Sequence, residues 1–273
     1  MSCTSWPMTY ELLKQYNIQT AICDVLDVPF NNITKEETLE IIEQFDNIPT
    51  RDNLFIVTAN PEITYMAKKN KSYLTRISMA DLIVPDGIGI IKAAKQLGRP
   101  MKSRVPGIEL MEGMLEIANM KNKKVFLLGS SKKTVKQCKQ KLREKYPNII
   151  FKSKHGYKEI DDKKTLKKLI DFKPDYVFVA MGFPKQESFI YFNQHHFDHT
   201  VFMGVGGSFD VFSGKVKRAP KVFINMNLEW LYRIFTDFKR FKRAITIPLF
   251  MLEVRKQMFN EKYDPYKHLK EKE

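Results

Sequence analysis

The chain has 273 residues, of which 43% are hydrophobic and 28% charged, and its formal net charge is +15. That balance excludes wholesale disorder and allows one large domain, or one domain with an appendage. The positive excess favours anionic partners (nucleic acid, acidic lipid or a phosphorylated substrate) without choosing among them.

Taken from the N-terminus, the opening MSCTSWPMTYELLKQYN lacks a basic segment followed by an apolar run, so it is not expected to be a signal peptide. Residues 1–19 are set apart as an N-terminal extension. Thr34 and Glu37 have capping-box spacing ahead of an apolar-periodic stretch, which predicts a helix. The runs LFIVTAN (54–60), DLIVPDG (81–87), KVFLLGSS (124–131), YVFVAMGFP (176–184) and TVFMGVGGSFD (200–210) are short, continuously apolar and end in turn formers. They predict strands buried on both faces, as in a parallel sheet. Asn60 is placed to cap a helix that has Pro61 at its first position. Residues 131–146 and 161–172 are lysine-rich with apolar spacing, the pattern of solvent-facing helices on a sheet. Strand alternating with helix predicts an α/β domain over residues 20–214, a Rossmann-like, largely parallel sheet flanked by helices.

Beyond residue 214 the character changes. Between Lys215 and Met258 there are eleven basic residues against three acidic ones, interleaved with Trp230, Tyr232, Phe235, Phe238 and Phe241. At roughly 100° per residue, Arg233 and Arg240 nearly coincide on a helix and Arg243 lies about 60° away. Trp230, Leu231, Ile234, Phe235, Phe238 and Phe241 take a separate arc. This predicts a basic amphipathic helical appendage over residues 215–273. It suits either packing on the core with a solvated basic edge, or an anionic membrane surface. No apolar stretch reaches the about 18–20 residues needed to span a bilayer.

In α/β sheets, ligands bind beyond the carboxyl ends of the strands. Four polar clusters fall there: 58–62, 85–89, 182–187 and 204–210. Asp86, between Pro85 and Gly87, could take a proton from an acceptor hydroxyl, or could cap the following helix. Asn60 and Asp210 carry the same capping alternative, and Thr58 could be a plain strand-end residue. His195 and His199 share a helical spacing, but nothing completes a metal site around them, and a surface or packing role is expected. The three cysteines, Cys3, Cys23 and Cys138, form no disulfide or metal pattern, which points to a reducing compartment. There is no D-x-D segment, so cationic side chains would have to stabilise a departing diphosphate.

Together, VPFNNIT (28–34), TANPEI (58–63), ADLIVPDGIGI (80–90), RVPGIEL (104–110), FLLGS (126–130), MGFPKQE (181–187), GVGGSFDVFSG (204–214) and RAP…NLEWLYRI (218–234) resemble the WecG/TagA-type bacterial glycosyltransferases, family 26. These stretches stand in family order over roughly residues 20–255, and their combination is far more specific than any one of them. The resemblance implies an inverting transfer of N-acetylmannosamine from a UDP-sugar to the 4-hydroxyl of GlcNAc on undecaprenyl diphosphate, without metal or cofactor. It implies Asp86 as general base and Thr58 and Asn60 lining the pocket. Arg104 and Gln186 would contact substrate, and Asp210 would help hold the nucleotide. Arg233, Arg240 and Arg243 would close over the site from the appendage, which attaches to the membrane. The expected location is cytoplasmic, peripheral on the inner face of the cell membrane, with a homo-oligomer left open.

Within the same family another donor, such as UDP-N-acetylmannosaminuronate or UDP-glucose, stays open, and two other classes stand against this. A Rossmann oxidoreductase needs a dinucleotide fingerprint and a ribose-binding acid, neither of which is clear. A nucleic-acid-binding protein would suit the charge and the aromatic-basic tail, but no RRM, KH or zinc-finger signature is present.

Overall fold

The computed structural model describes residues 21–156, 163–220 and 245–262, together with residues 222, 223, 226 and 232. Its centre is a six-stranded parallel sheet made of β3 (Leu54–Ala59), β4 (Leu82–Pro85), β5 (Lys124–Gly129), β6 (Ile150–Lys154), β7 (Tyr176–Ala180) and β8 (Val201–Gly204). The spatial order is β4-β3-β8-β7-β5-β6. The last strand is thus inserted beside the first, an order different from the 3-2-1-4-5-6 of a dinucleotide-binding Rossmann domain. All pairings are parallel, so every strand ends on the same side.

Continuous hydrophobicity has the expected cause. Side chains alternate across a strand, and here both faces are covered. Phe55, Val57, Ala59, Val177, Val179 and Phe202 enter one core cluster, while Leu54, Ile56, Tyr176, Phe178, Val201 and Met203 enter the other. Each such side chain contributes about 1.5–3 kcal/mol by leaving water. The helices divide between the two faces. On the first lie α2 (Pro61–Lys69), α3 (Lys71–Ser78), α4 (Ile88–Gln96), α7 (Lys163–Phe172), α8 (Lys185–Asn193) and α10 (Thr246–Lys262). On the second lie α1 (Lys35–Phe45), α5 (Gly107–Met120), α6 (Lys132–Lys145) and the short α9 (Ser208–Phe212).

The helix starts follow from the sequence. Thr34 and Glu37 close a capping box on α1, Asn60 caps α2 with Pro61 at its first position, and Ser131 caps α6. The strand ends were overdrawn. β5 stops at Gly129 (φ 109°), β7 at Ala180 ahead of Gly182 (φ 73°), and β8 at Gly204 ahead of Gly206 (φ 48°). The residues beyond are turns and helix starts, including Ser208–Phe212, which are helical rather than extended.

Two elements lacked a recognised signal. An antiparallel hairpin joins β1 (Ile22–Val25) to β2 (Val28–Asn31) through Leu26 and Asp27, both at positive φ (55° and 68°). A two-residue turn of that geometry ordinarily carries Asn-Gly or Asp-Gly, and Leu-Asp hides it. The hairpin shields the open edge of β4, where the buried Asn31 Oδ1 accepts from Ile83 N at 2.7 Å. Strand β6, at the other edge, reads IFKSK, and lysine is a common guard on edge strands.

The described part of the C-terminal region is mostly helix α10. Helix α10 is docked on the body, with Phe250 and Val254 buried in the first core cluster. Gln257 accepts from Leu26 N at 2.8 Å and donates to Asp24 Oδ1 at 2.9 Å, so it tethers the hairpin turn. Lys69–Glu253 and Arg99–Glu261, each at 3.0 Å, add exposed ion pairs. Among the described residues, no helix is long and apolar enough to cross a membrane. The extension 1–19 and the arginines 233, 240 and 243 lie outside the described residues.

Candidate active site

The site is built where β3, β4, β7 and β8 end. Register puts Ala59 opposite Pro85, and the amide of Asp86 then donates to Ala59 O at 2.9 Å. The incoming loop before α5 is fastened to the same point, because Val105 N donates to Pro85 O at 2.7 Å. Two glycines let these segments close up. A Cβ at Gly107 would lie 2.8 Å from Thr58 Oγ1, and one at Gly89 would lie 2.6 Å from Pro61 Cγ. Thr58, Asn60, Asp86 and Arg104 are thereby drawn onto one corner of the sheet.

The capping alternatives separate here. Asn60 Oδ1 accepts from Ile63 N at 2.9 Å, so Asn60 is a helix cap. Asp86 is not the N-cap of α4. Gly87 holds that position at φ 104°, ψ 150°, a conformation suited to glycine, and no side-chain cap bond forms there. The half-buried Asp86 carboxylate thus sits one residue ahead of a helix start at a strand end. Thr58 is nearly buried and packs against the first residue of α5.

Gln186 and Asp210 belong to the second half of the corner. Gln186 is 4% exposed. Its Oε1 accepts from Gly182 N at 3.2 Å and from Gly206 N at 3.0 Å, while its Nε2 donates to Glu187 Oε1 at 2.8 Å. Sequence reasoning expected this amide to contact substrate. Its observed bonds instead tie the loop after β7 to the loop after β8. Gly204 is needed there, since a Cβ would meet Gln186 Nε2 at 2.7 Å. Phe183, in the same turn, packs against the first core cluster, and the Phe183–Pro184 bond is cis. Asp210 stands in the single turn of α9 and pairs with Lys215 Nζ at 2.8 Å. Burial, with the nearby charge of Asp210 second, pushes the Cys138 thiol up to about 12.

Two residues of this corner had been passed over. Arg218 donates to Glu109 in the first turn of α5, next to Gly107, so the chain leaving α9 is clasped back onto the site. Arg218 Nε is buried with no hydrogen bond among the described residues. Glu187 is 1% exposed, and burial raises its carboxyl above the ordinary carboxylate range. An acid inside an apolar cluster beside a glutamine was the available signal. The histidine spacing dissolves on folding. His195 and His196 lie in a 3-10 turn, and His199 (φ 53°) stacks on Phe45 at 4.7 Å between ring centroids. Among the described residues, no three His, Cys, Asp or Glu side chains are grouped to hold a metal ion.

Comparison with known proteins places the chain in a family. The model of the glycosyl transferase WecG/TagA/CpsF family matches residues 23–264. Proteins named N-acetylglucosaminyldiphosphoundecaprenol N-acetyl-beta-D-mannosaminyltransferase, from Staphylococcus aureus strains NCTC 8325, COL and MRSA252, are each 46% identical over 237 residues. That alignment covers 87% of this chain and 93% of each relative. With the family's model spanning the sheet, both halves of the corner and α10, this chain belongs to the WecG/TagA/CpsF family of glycosyltransferases.

Proposed function

We propose that this protein transfers N-acetylmannosamine from UDP-ManNAc to the 4-hydroxyl of GlcNAc on undecaprenyl diphosphate, an early step of wall teichoic acid linkage-unit synthesis. The observation that carries this reading is the 46% identity, over 87% of the chain, to proteins named for that transfer. The fold supports it, because β3, β4, β7 and β8 end on the same side of a parallel sheet, where such sheets bind their ligands.

The reaction is a single displacement with inversion. Asp86 takes the proton of the acceptor 4-hydroxyl as its oxygen bonds to the anomeric carbon. The bond from that carbon to the diphosphate breaks, and UDP leaves with the electron pair. Thr58 and Arg104 line the pocket beside Asp86, and Asn60 fixes the start of α2 below it. Asp210 helps hold the nucleotide from the β8 side, and Gln186 acts by holding the two loops there. Arg233, Arg240 and Arg243 offset the charge growing on the diphosphate, work that needs no bound metal. Closure of the C-terminal region excludes water and limits hydrolysis of the donor.

The protein works as a peripheral protein on the cytoplasmic face of the membrane. Ile245, Leu249, Leu252 and Phe259 are exposed along the outer side of α10 and its start, next to the exposed Arg255 and Lys256. Apolar residues flanked by cations suit the boundary of an anionic bilayer.

The test is UDP release by purified full-length protein given UDP-ManNAc and a lipid-diphosphate-GlcNAc analogue, with EDTA present. Release that requires both substrates is the expected result. Release only with a different UDP-sugar corrects the donor. Silence with every UDP-sugar in the presence of membranes overturns the assignment.

A further inference from the structure

Glu187 has no part in the chemistry above, yet it is the most deeply buried carboxyl at the site. Its neighbours are specific. Oε1 accepts from Gln186 Nε2 at 2.8 Å, and Oε2 lies beside the buried hydroxyl of Tyr73 without closing a hydrogen bond of ordinary geometry. Tyr73 comes from α3, and burial raises its phenol well above the usual range.

The orientation of the Gln186 amide matters because its ends are chemically opposite. Gly182 N and Gly206 N can only donate, so both require the oxygen end. A flipped amide would aim N–H at two N–H groups and leave all of them unsatisfied, which is costly for buried groups. An ionised carboxyl at 187 can only accept, so it selects the correct end, and the protonated form still keeps an oxygen able to accept from Nε2. We propose that Glu187 is a positioning residue of the transferase: it fixes the Gln186 amide so that one oxygen holds the β7 and β8 loops in the geometry that receives the nucleotide. This rests on the proposed function for the identity of that ligand. The staple itself rests only on the geometry.

UDP binding and steady-state kinetics test it in the full-length protein. Glu187→Met keeps the volume and removes the acceptor. It is expected to weaken UDP binding and raise KM for the UDP-sugar about tenfold, the effect of one misdirected buried hydrogen-bond set. It should leave kcat within about threefold, as for a loss of uniform binding. Gln186→Glu should show the same defect, since two acids then face each other. The exchange Gln186→Glu with Glu187→Gln restores a donor facing an acceptor and should recover most of the affinity, which a merely space-filling role would not produce. Amide hydrogen exchange at Gly182 and Gly206 supplies a readout free of ligand. Both amides should exchange faster in Glu187→Met and return toward wild type in the double variant. Should Glu187→Met fail to fold, the exchanged pair decides alone. A folded Glu187→Met with wild-type UDP affinity and protection, or a double variant no better than Gln186→Glu, overturns the inference. A wild-type protein that binds no UDP while the exchange rates behave as stated would instead remove the assigned ligand and keep the staple.

Discussion

The two halves of the site are held by different means. The half at the ends of β3 and β4 is fastened by backbone: Asp86 N to Ala59 O, Val105 N to Pro85 O, and close approaches at Gly89 and Gly107. The half at the ends of β7 and β8 is fastened by one buried side chain, Gln186, oriented by another, Glu187. Backbone fastening fixes a reacting group with little freedom, which suits the place where a proton must be taken. A side-chain staple fixes loops at a distance and can be loosened without dismantling the sheet. Chemistry and nucleotide binding are therefore expected to fail separately under mutation.

The largest expected effect breaks the first half at its reacting group. Asp86→Asn should lose about 100- to 10,000-fold in turnover while binding UDP as before. Unimpaired turnover would remove Asp86 from the base role. Next, Phe250→Ala empties the contact by which α10 is docked on the body. It should cost about 3–5 kcal/mol in denaturant unfolding. A change within error would mean that α10 is an independent appendage. Gly107→Ala presses a methyl on Thr58 and should cost about 1–3 kcal/mol. Its kinetic signature sharpens the comparison, because kcat should fall with UDP affinity little changed, the reverse of Glu187→Met.

The smallest effect is on pH. Because burial raises the Glu187 carboxyl in the folded state, the folded protein binds more protons than the unfolded chain between the ordinary value of 4.5 and the raised one. Stability should fall as pH rises through that window, and the loss is complete above the folded value. Glu187→Gln removes the titrating group and should flatten this part of the stability profile in thermal melts.

Much of this was legible beforehand. The strands at the candidate site were plain because continuous apolar runs of four to six residues are the mark of burial on both faces. The caps at Thr34 and Asn60 were plain because they are local, satisfied within four residues of chain. The hairpin was hidden by its Leu-Asp turn. The docking of α10 was hidden because it meets α2 and α4 from the far end of the chain. The alternative of Asp86 as a cap was set aside only when Gly87 was seen in that position. The hydrogen bonds of Gln186 to Gly182, Gly206 and Glu187 had no signal along the chain.

The sequence by itself determined the fold class, the strands of the sheet and, through stretches in family order, the kind of reaction. Those properties depend on periodicity, local capping and residue identity, all of which are written along the chain. Tertiary structure alone decided the strand order, which sets the last strand beside the first and makes one site from loops more than 100 residues apart. It also decided which hydrogen-bond partners the polar side chains find within the protein. A side chain's hydrogen-bond partners depend on what arrives from distant strands, so the pairing of Gln186 with Gly182, Gly206 and Glu187 existed only once β7 and β8 were laid side by side.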